Sequence, residues 1–481
     1  MREIEKVIVA QPSAYLNDPH IWVDSRAVLC IRFSMFEPLV KYDKHNQFVP
    51  GLAVSWKVEK DARTWTFNLR KNVKFHDGSL FTAQDAAASI RRAVSPEMPG
   101  EYGTAALLAG YLEKAEIEIL DPYTLKIITP DPMADLLDLL VYIMILPSHA
   151  LDQVTPTVPG TGPYRLLEAN PEDIHLTRFE DYWAGPAEVK EVVYTAIHEE
   201  EDRVKAFLRH EVDVITYVSP ERATGLQLDP QTFFWNRATT VCVIMMFNAI
   251  QGACTDVRVR QALNYAINMD EVIEKVMKGH AVRLNGPLTY DHIGCDPDLA
   301  PYPYDPVHAR ELLKAAGYSN GLTLTLDRPT ILPDESAELA AMLRKYWGAV
   351  GVTLEERIHE DRKQYSLTVR SREIGDLCVF DSSPMSTYRV LREKLHSNFA
   401  GPWWEGYDSP VVNALMEKAW GTIDFTERVG LYRQAYRQIQ HDAPWLFFYN
   451  PTELLVVNKS IVETLPDWSI GIDGLVVFGQ G

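Results

Sequence analysis

Gly51-Leu52-Ala53-Val54-Ser55-Trp56 opens a run that continues through Thr64-Trp65-Thr66-Phe67-Asn68-Leu69-Arg70, Phe75-His76-Asp77-Gly78 and Phe81-Thr82-Ala83. In Trp65-Thr66-Phe67-Asn68-Leu69 apolar and polar side chains alternate, the period of a half-buried strand. His76-Asp77-Gly78-Ser79 is turn chemistry, because Asp bonds nearby backbone and Gly accepts positive φ. Thr82 precedes Ala83-Gln84-Asp85-Ala86-Ala87-Ala88-Ser89-Ile90, which predicts an N-capped helix. A tight turn satisfies His76 and Asp77 locally, so the pair reads as scaffold rather than an acid–base couple.

Outward from this run, 481 residues are enough for two or three domains. Hydrophobic content of 46% and charged content of 23% are those of a globular protein. No apolar run of about 18 residues predicts a membrane span. Met1-Arg2-Glu3-Ile4-Glu5 leads directly into the strand-like Val7-Ile8-Val9-Ala10, with no apolar signal core before it. The net charge of −19, from 47 basic and 66 acidic residues, argues against nucleic acid as a partner. Five scattered cysteines, without Cys-x-x-Cys, predict neither a disulfide framework nor a zinc site, although Cys254 and Cys295 in loop-like sequence are a candidate pair. The 13 histidines do not cluster at ligand spacing, and neither a metal nor a cofactor is implied.

The four pieces of the opening run stand in the order and spacing of the extracytoplasmic solute-binding proteins of the peptide/nickel class, which serve ABC importers, and the chain resembles that family. Further pieces extend the resemblance over about residues 7 to 455. Among them are Leu16-Asn17-Asp18-Pro19-His20, Gly160-Thr161-Gly162-Pro163-Tyr164, Asp181-Tyr182-Trp183-Ala184-Gly185 and Val257-Arg258-Val259-Arg260-Gln261-Ala262-Leu263-Asn264-Tyr265-Ala266. The resemblance implies an α/β, two-lobed periplasmic-binding-protein fold (type II-like) with an extra subdomain in the first lobe. Its borders are expected at 1–45 for the first segment of lobe 1, 46–164 for the extra subdomain, 165–249 for the second segment, 250–449 for lobe 2, and 450–481 for the return to lobe 1. Hinges are expected near Asn248 and Tyr449-Asn450. It also implies a periplasmic or extracytoplasmic monomer that is no enzyme, captures a short peptide or other small organic solute by lobe closure, and passes it to a membrane permease. A sensory binder and a secreted hydrolase are the alternatives.

Val259, Ala262, Leu263 and Ala266 fall at helical spacing, which turns Arg258 and Arg260 outward. Gly317-Tyr318-Ser319-Asn320-Gly321 matches a hydrolase nucleophile pattern. It sits between a predicted helix and a predicted strand, the reverse of the strand–turn–helix order that a nucleophile elbow needs.

In peptide-binding members of the family an aspartate at a strand end receives the peptide's ammonium. The nearest match is Asp381 in Asp376-Leu377-Cys378-Val379-Phe380-Asp381-Ser382-Ser383-Pro384, but it lies three residues before the proline rather than four, and Ser383 replaces the family's acidic residue. Ser382 and Ser383 join it as candidates. Gly401-Pro402-Trp403-Trp404-Glu405-Gly406-Tyr407 places two tryptophans and Tyr407 in a loop, where binding residues concentrate. Neighbouring tryptophans on an extended segment face opposite ways, so one is expected in the pocket and one in the core. Trp22, Tyr102 and the potential carboxylate clamps Arg26 and Arg389 complete the set, although Arg389 with Arg392 and Lys394 also reads as a solvated helix face.

Overall fold

The computed structural model describes residues 4–21, 25–43, 47–98, 108–226, 229–331, 333–384, 386–464, 469–470 and 476–477. The chain forms two compact units, residues 1–237 with 453–481, and residues 238–452. The sequence reading drew these borders after 249 and 449. The first difference arises because Cys242–Phe247 pairs along its whole length with Leu377–Ser382, inside the second unit.

The main sheet of the first unit is built around β1 (Ile4–Gln11). Helix α1 (Arg26–Met35) follows it, and a separate antiparallel sheet holds β2 (Ala53–Val58), β3 (Thr64–Leu69), β4 (Glu116–Asp121) and β5 (Thr124–Ile128) in the order β2-β3-β5-β4. Trp65 and Phe67 of β3 are buried, as the alternation predicts. Helix α2 (Ala83–Ala93) begins with a reciprocal cap: Thr82 Oγ1 accepts from Gln84 N–H, and Asp85 Oδ2 accepts from Thr82 N–H at 2.8 Å. His76 accepts from Gly160 N–H at 3.2 Å through Nδ1 and meets the Gly162 carbonyl at 3.0 Å through Nε2. A Cβ at Gly160 would lie 2.0 Å from the Met35 carbonyl oxygen, so the opening run locks against α1 only because no side chain intervenes.

Three strands then extend the main sheet, β6 (Tyr164–Ala169), β7 (Asp173–Arg178) and β8 (Val189–Ala196). β8 lies parallel to β1 and antiparallel to β7, while the short β9 (Val214–Ile215) lies on the other side of β1.

In the second unit β10 (Cys242–Phe247) precedes helix α3 (Val257–Tyr265). β11 (Leu322–Pro329) and β12 (Val352–His359) pair in parallel. Helix α4 (Arg362–Arg370), β13 (Leu377–Ser382), helix α5 (Thr387–Leu395), helix α6 (Phe425–Asp442) and β14 (Trp445–Asn458), whose residues from 453 on belong to the first unit, follow. The strand order is β12-β11-β13-β10-β14. Alternation along β10 and β13 divides the core between two faces. Val243, Met245 and Val379 pack on one, and Cys242, Ile244, Met246, Cys378 and Phe380 on the other.

That division corrects the candidate disulfide. Cys254 belongs to the first face and Cys295 to the second, and all five cysteines are free and buried. Arg260 is a second correction. It is buried, not outward, and donates to the carbonyls of Asp442 and Ala443 at the end of α6. Those terminal carbonyls have no helical partner of their own. Gly317, with φ +97°, follows the helix Pro306–Ala315 and leads to β11, so the order at Ser319 is helix, turn, strand as expected. Among the described residues no helix is long and apolar enough to cross a membrane.

Candidate functional site

β13 pairs with β10 over its full length, but with β11 only at Leu377 and Cys378. Beyond Cys378 one edge of β13 is left to side chains of α4. Tyr365 fills it: its hydroxyl hydrogen-bonds the Val379 carbonyl and also reaches that of Asp327 at 3.3 Å. Arg362 lies one helical turn earlier, at the first position of α4. Asp361 caps that helix by accepting from Lys363 and Gln364 N–H at 2.8 and 3.0 Å.

This places a fixed guanidinium beside Asp381. Arg362 Cζ stands 5.4 Å from the Tyr365 ring centre and 5.2 Å from that of Phe380, and Nη1 donates to Ser366 Oγ at 2.6 Å. Nη2 lies 3.6 Å from Asp381 Oδ1, an ion pair beyond normal hydrogen-bond length. Nε is buried and has no acceptor among the described residues. The Asp381 side chain keeps 30% exposure. Ser382 is fully buried on the opposite face, and its Oγ likewise has no partner there. Ser383 is half-buried, and its carbonyl accepts from Thr240 Oγ1 at 3.3 Å. Past it, His292 Nε2 donates to the Pro384 carbonyl at 2.8 Å, while Nδ1 accepts from the Thr289 N–H at 3.2 Å. Burial lowers the pKa of His292 and favours this neutral form.

A turn closed by the Trp404 N–H on the Gly401 carbonyl at 3.2 Å carries the two tryptophans, so the opposite facing of an extended segment does not apply and both are partly buried. Trp403 packs inward, 4.9 Å from the Phe380 ring, with Arg370 and Lys394 at 5.8 and 5.5 Å from its own ring centre. Trp404 is half-buried as well. Its Nε1 donates to the Tyr407 carbonyl at 2.6 Å, and Arg372 lies 5.1 Å from its ring. Gly406 turns the loop at φ +93°, where a Cβ would meet Ile250 N at 2.5 Å.

Two candidates need correction. Tyr407 is 4% exposed and its hydroxyl donates to Asp442 Oδ2 at 2.7 Å, so it anchors the loop to α6 instead of facing solvent. Arg389 is 3% exposed and pairs with Glu393 at 2.9 Å. Helix α5 is buried around most of its surface, Lys394 included, so the solvated-face reading of Arg389 and Lys394 fails along with the clamp. Arg26 pairs with the buried Glu453 inside the first unit, and a ligand carboxylate there would have to displace that partner. Trp22 and Tyr102 lie outside the described residues.

Sequence reasoning missed Arg362, His292 and Glu405. Glu405 is 4% exposed, and neither carboxyl oxygen has a hydrogen-bond partner among the described residues. Burial pushes its pKa up to about 8, against the opposing pull of the Arg372 guanidinium. Its place between two aromatic loop residues was the only available signal.

The first unit holds a contrasting polar cluster in the Leu16–His20 loop. Arg92 donates to both carboxylate oxygens of Asp18, to Oδ1 at 2.9 Å, and to His20 Nδ1 at 2.9 Å; His20 Nε2 donates to the Met144 carbonyl at 2.8 Å. Burial lowers His20 to about 4, outweighing the Met144 hydrogen bond. His20, Leu29, Arg32, Tyr142 and Met144 line a narrow recess of only about 10 Å³.

Comparison with known proteins agrees with this architecture. The family model for bacterial extracellular solute-binding proteins, family 5 Middle, matches residues 47–384. The glutathione-binding protein GsiB of Pectobacterium atrosepticum is 28% identical, covering 94% of this chain and 90% of that protein. The dipeptide-binding protein of Escherichia coli is 26% identical, covering 86% and 83%. Among solved structures, the periplasmic binding protein DppA from Helicobacter pylori, in complex with the peptide STSA, superposes with a TM-score of 0.79 at 24% identity over 95% of this chain and 94% of that one. NikA from Brucella suis, in complex with Fe(III)-EDTA, gives 0.83 at 21% identity over 98% of both.

Proposed function

The chain belongs to the bacterial extracellular solute-binding proteins of family 5, and from that premise we propose that it captures a peptide-like solute reversibly and delivers it to an ABC-type importer. The family match over residues 47–384 carries this reading. Relatives named for glutathione and for dipeptide put peptide-like solutes first. The protein acts as an extracytoplasmic monomer and performs no chemistry. Its ligand-binding residues in the second unit are Asp381, Ser383 and Trp404, which are all partly exposed. Trp403 supports them from behind through Phe380.

The experiment is mass spectrometry of what the purified protein releases on denaturation, followed by titration of the released compound into stripped protein. A peptide or peptide-like compound that rebinds is expected. Release of a lipid or a nucleotide, or turnover of esterase or peptidase substrates, would overturn the reading.

A further inference from the structure

An aspartate that serves only to receive an ammonium gains most by standing alone. Asp381 does not stand alone. Arg362 is held next to it by two rings and Ser366, with Nη2 3.6 Å from Oδ1. At that separation the pair is attracted but does not form a close bidentate hydrogen bond, the geometry that Arg and carboxylate otherwise prefer. One donor of the guanidinium, Nε, is buried without an acceptor, which costs free energy unless something else is gained. The arrangement presents a cation and an anion side by side, pre-ordered and partly open to solvent. Its complement is a ligand head with an anion and a cation on one carbon. A free α-amino-acid head, –CH(NH3+)COO−, has that form. The N-terminus of an ordinary α-peptide does not, because its α-carboxyl is consumed in the amide bond.

We propose that Arg362 and Asp381 together recognise a zwitterionic α-amino-acid head, with the ligand ammonium on Asp381 and its carboxylate on Arg362, so that Arg362 is a specificity-determining residue for solutes joined through a side-chain carboxyl. The inference rests on the solute-capture reading above and narrows its substrate class.

Two isomers separate the possibilities. γ-Glu-Cys-Gly, which is glutathione, keeps the free head, whereas α-Glu-Cys-Gly has the same atoms and net charge but a substituted α-carboxyl. Calorimetric titration of the full chain is expected to show the γ isomer binding about tenfold tighter or more, the scale of one charge-assisted contact. Arg362→Gln should bring the isomers within about threefold of each other. Arg362→Lys, which keeps the charge but loses the fork, should fall between. Asp381→Asn should weaken both, since both carry the ammonium. Thermal unfolding of each variant confirms that it is folded. Equal binding of the isomers by the wild type, or a preference that survives in folded Arg362→Gln, would overturn the inference and leave solute capture standing. If neither isomer binds, the inference falls too, and the compound released on denaturation decides the broader reading independently.

Discussion

The Asp18–His20–Arg92 cluster of the first unit and the end of β13 in the second are both built from charges near apolar walls, yet they handle polarity in opposite ways. In the first, Arg92 meets both Asp18 oxygens and His20, and His20 spends its other nitrogen on Met144. In the second, Arg362 Nε and Ser382 Oγ are buried without hydrogen-bond partners among the described residues, and so are both Glu405 oxygens near the start of the same strand. Native proteins satisfy nearly all buried polar groups, and exceptions call for an explanation. A closed network specifies a fold, whereas an open one retains capacity for a ligand or a proton.

The largest effect that sharpens this contrast is expected from Arg92→Met. It leaves Asp18 and His20 without their shared donor, and urea unfolding should show a loss of about 2–4 kcal/mol. A loss below about 1 kcal/mol would mean that the first cluster is no more structural than the second.

Next comes Glu405. Its folded pKa is raised above the unfolded carboxyl value of 4.5, so the protonated form favours the folded state. Its contribution is full below about 4.5 and is lost as pH rises to about 8. From about pH 5 to about pH 6.5 the wild type should lose on the order of 2 kcal/mol relative to Glu405→Gln, at about 1.4 kcal/mol per pH unit. Parallel stability–pH curves for the two proteins would show that the carboxyl finds a partner on ionising.

The smallest effect is expected from Ser382→Ala. With no hydrogen bond to break, removing Oγ should change stability by less than about 0.5 kcal/mol. A loss of more than about 1.5 kcal/mol would reveal a bridging water that satisfies the hydroxyl.

Local chemistry was legible in the sequence wherever a few consecutive residues decide the outcome. The alternation in Trp65–Leu69 put Trp65 and Phe67 in the core, Thr82 capped its helix, and Gly317 ended its helix in the order that excludes a nucleophile elbow. The opposed facing expected of Trp403 and Trp404 assumed an extended segment, whereas a turn carries them and leaves both partly buried. The charged helices misled, because a helical period says which residues share a face and nothing about what packs on the other side. Arg260 found the end of α6, and α5 was covered so fully that Arg389, Glu393 and Lys394 all became buried.

The sequence by itself determined the family, the α/β class and the strand that carries Asp381, because caps, turns and alternating strands are satisfied within a few residues. Only the tertiary structure decided what that aspartate faces. Arg362 lies nineteen positions earlier in the chain, and the two meet because the pairing of β11 with β13 ends at Cys378 and leaves an edge that α4 fills. Contacts across sheets and helices depend on where strands end and which faces are covered, and no local pattern encodes either.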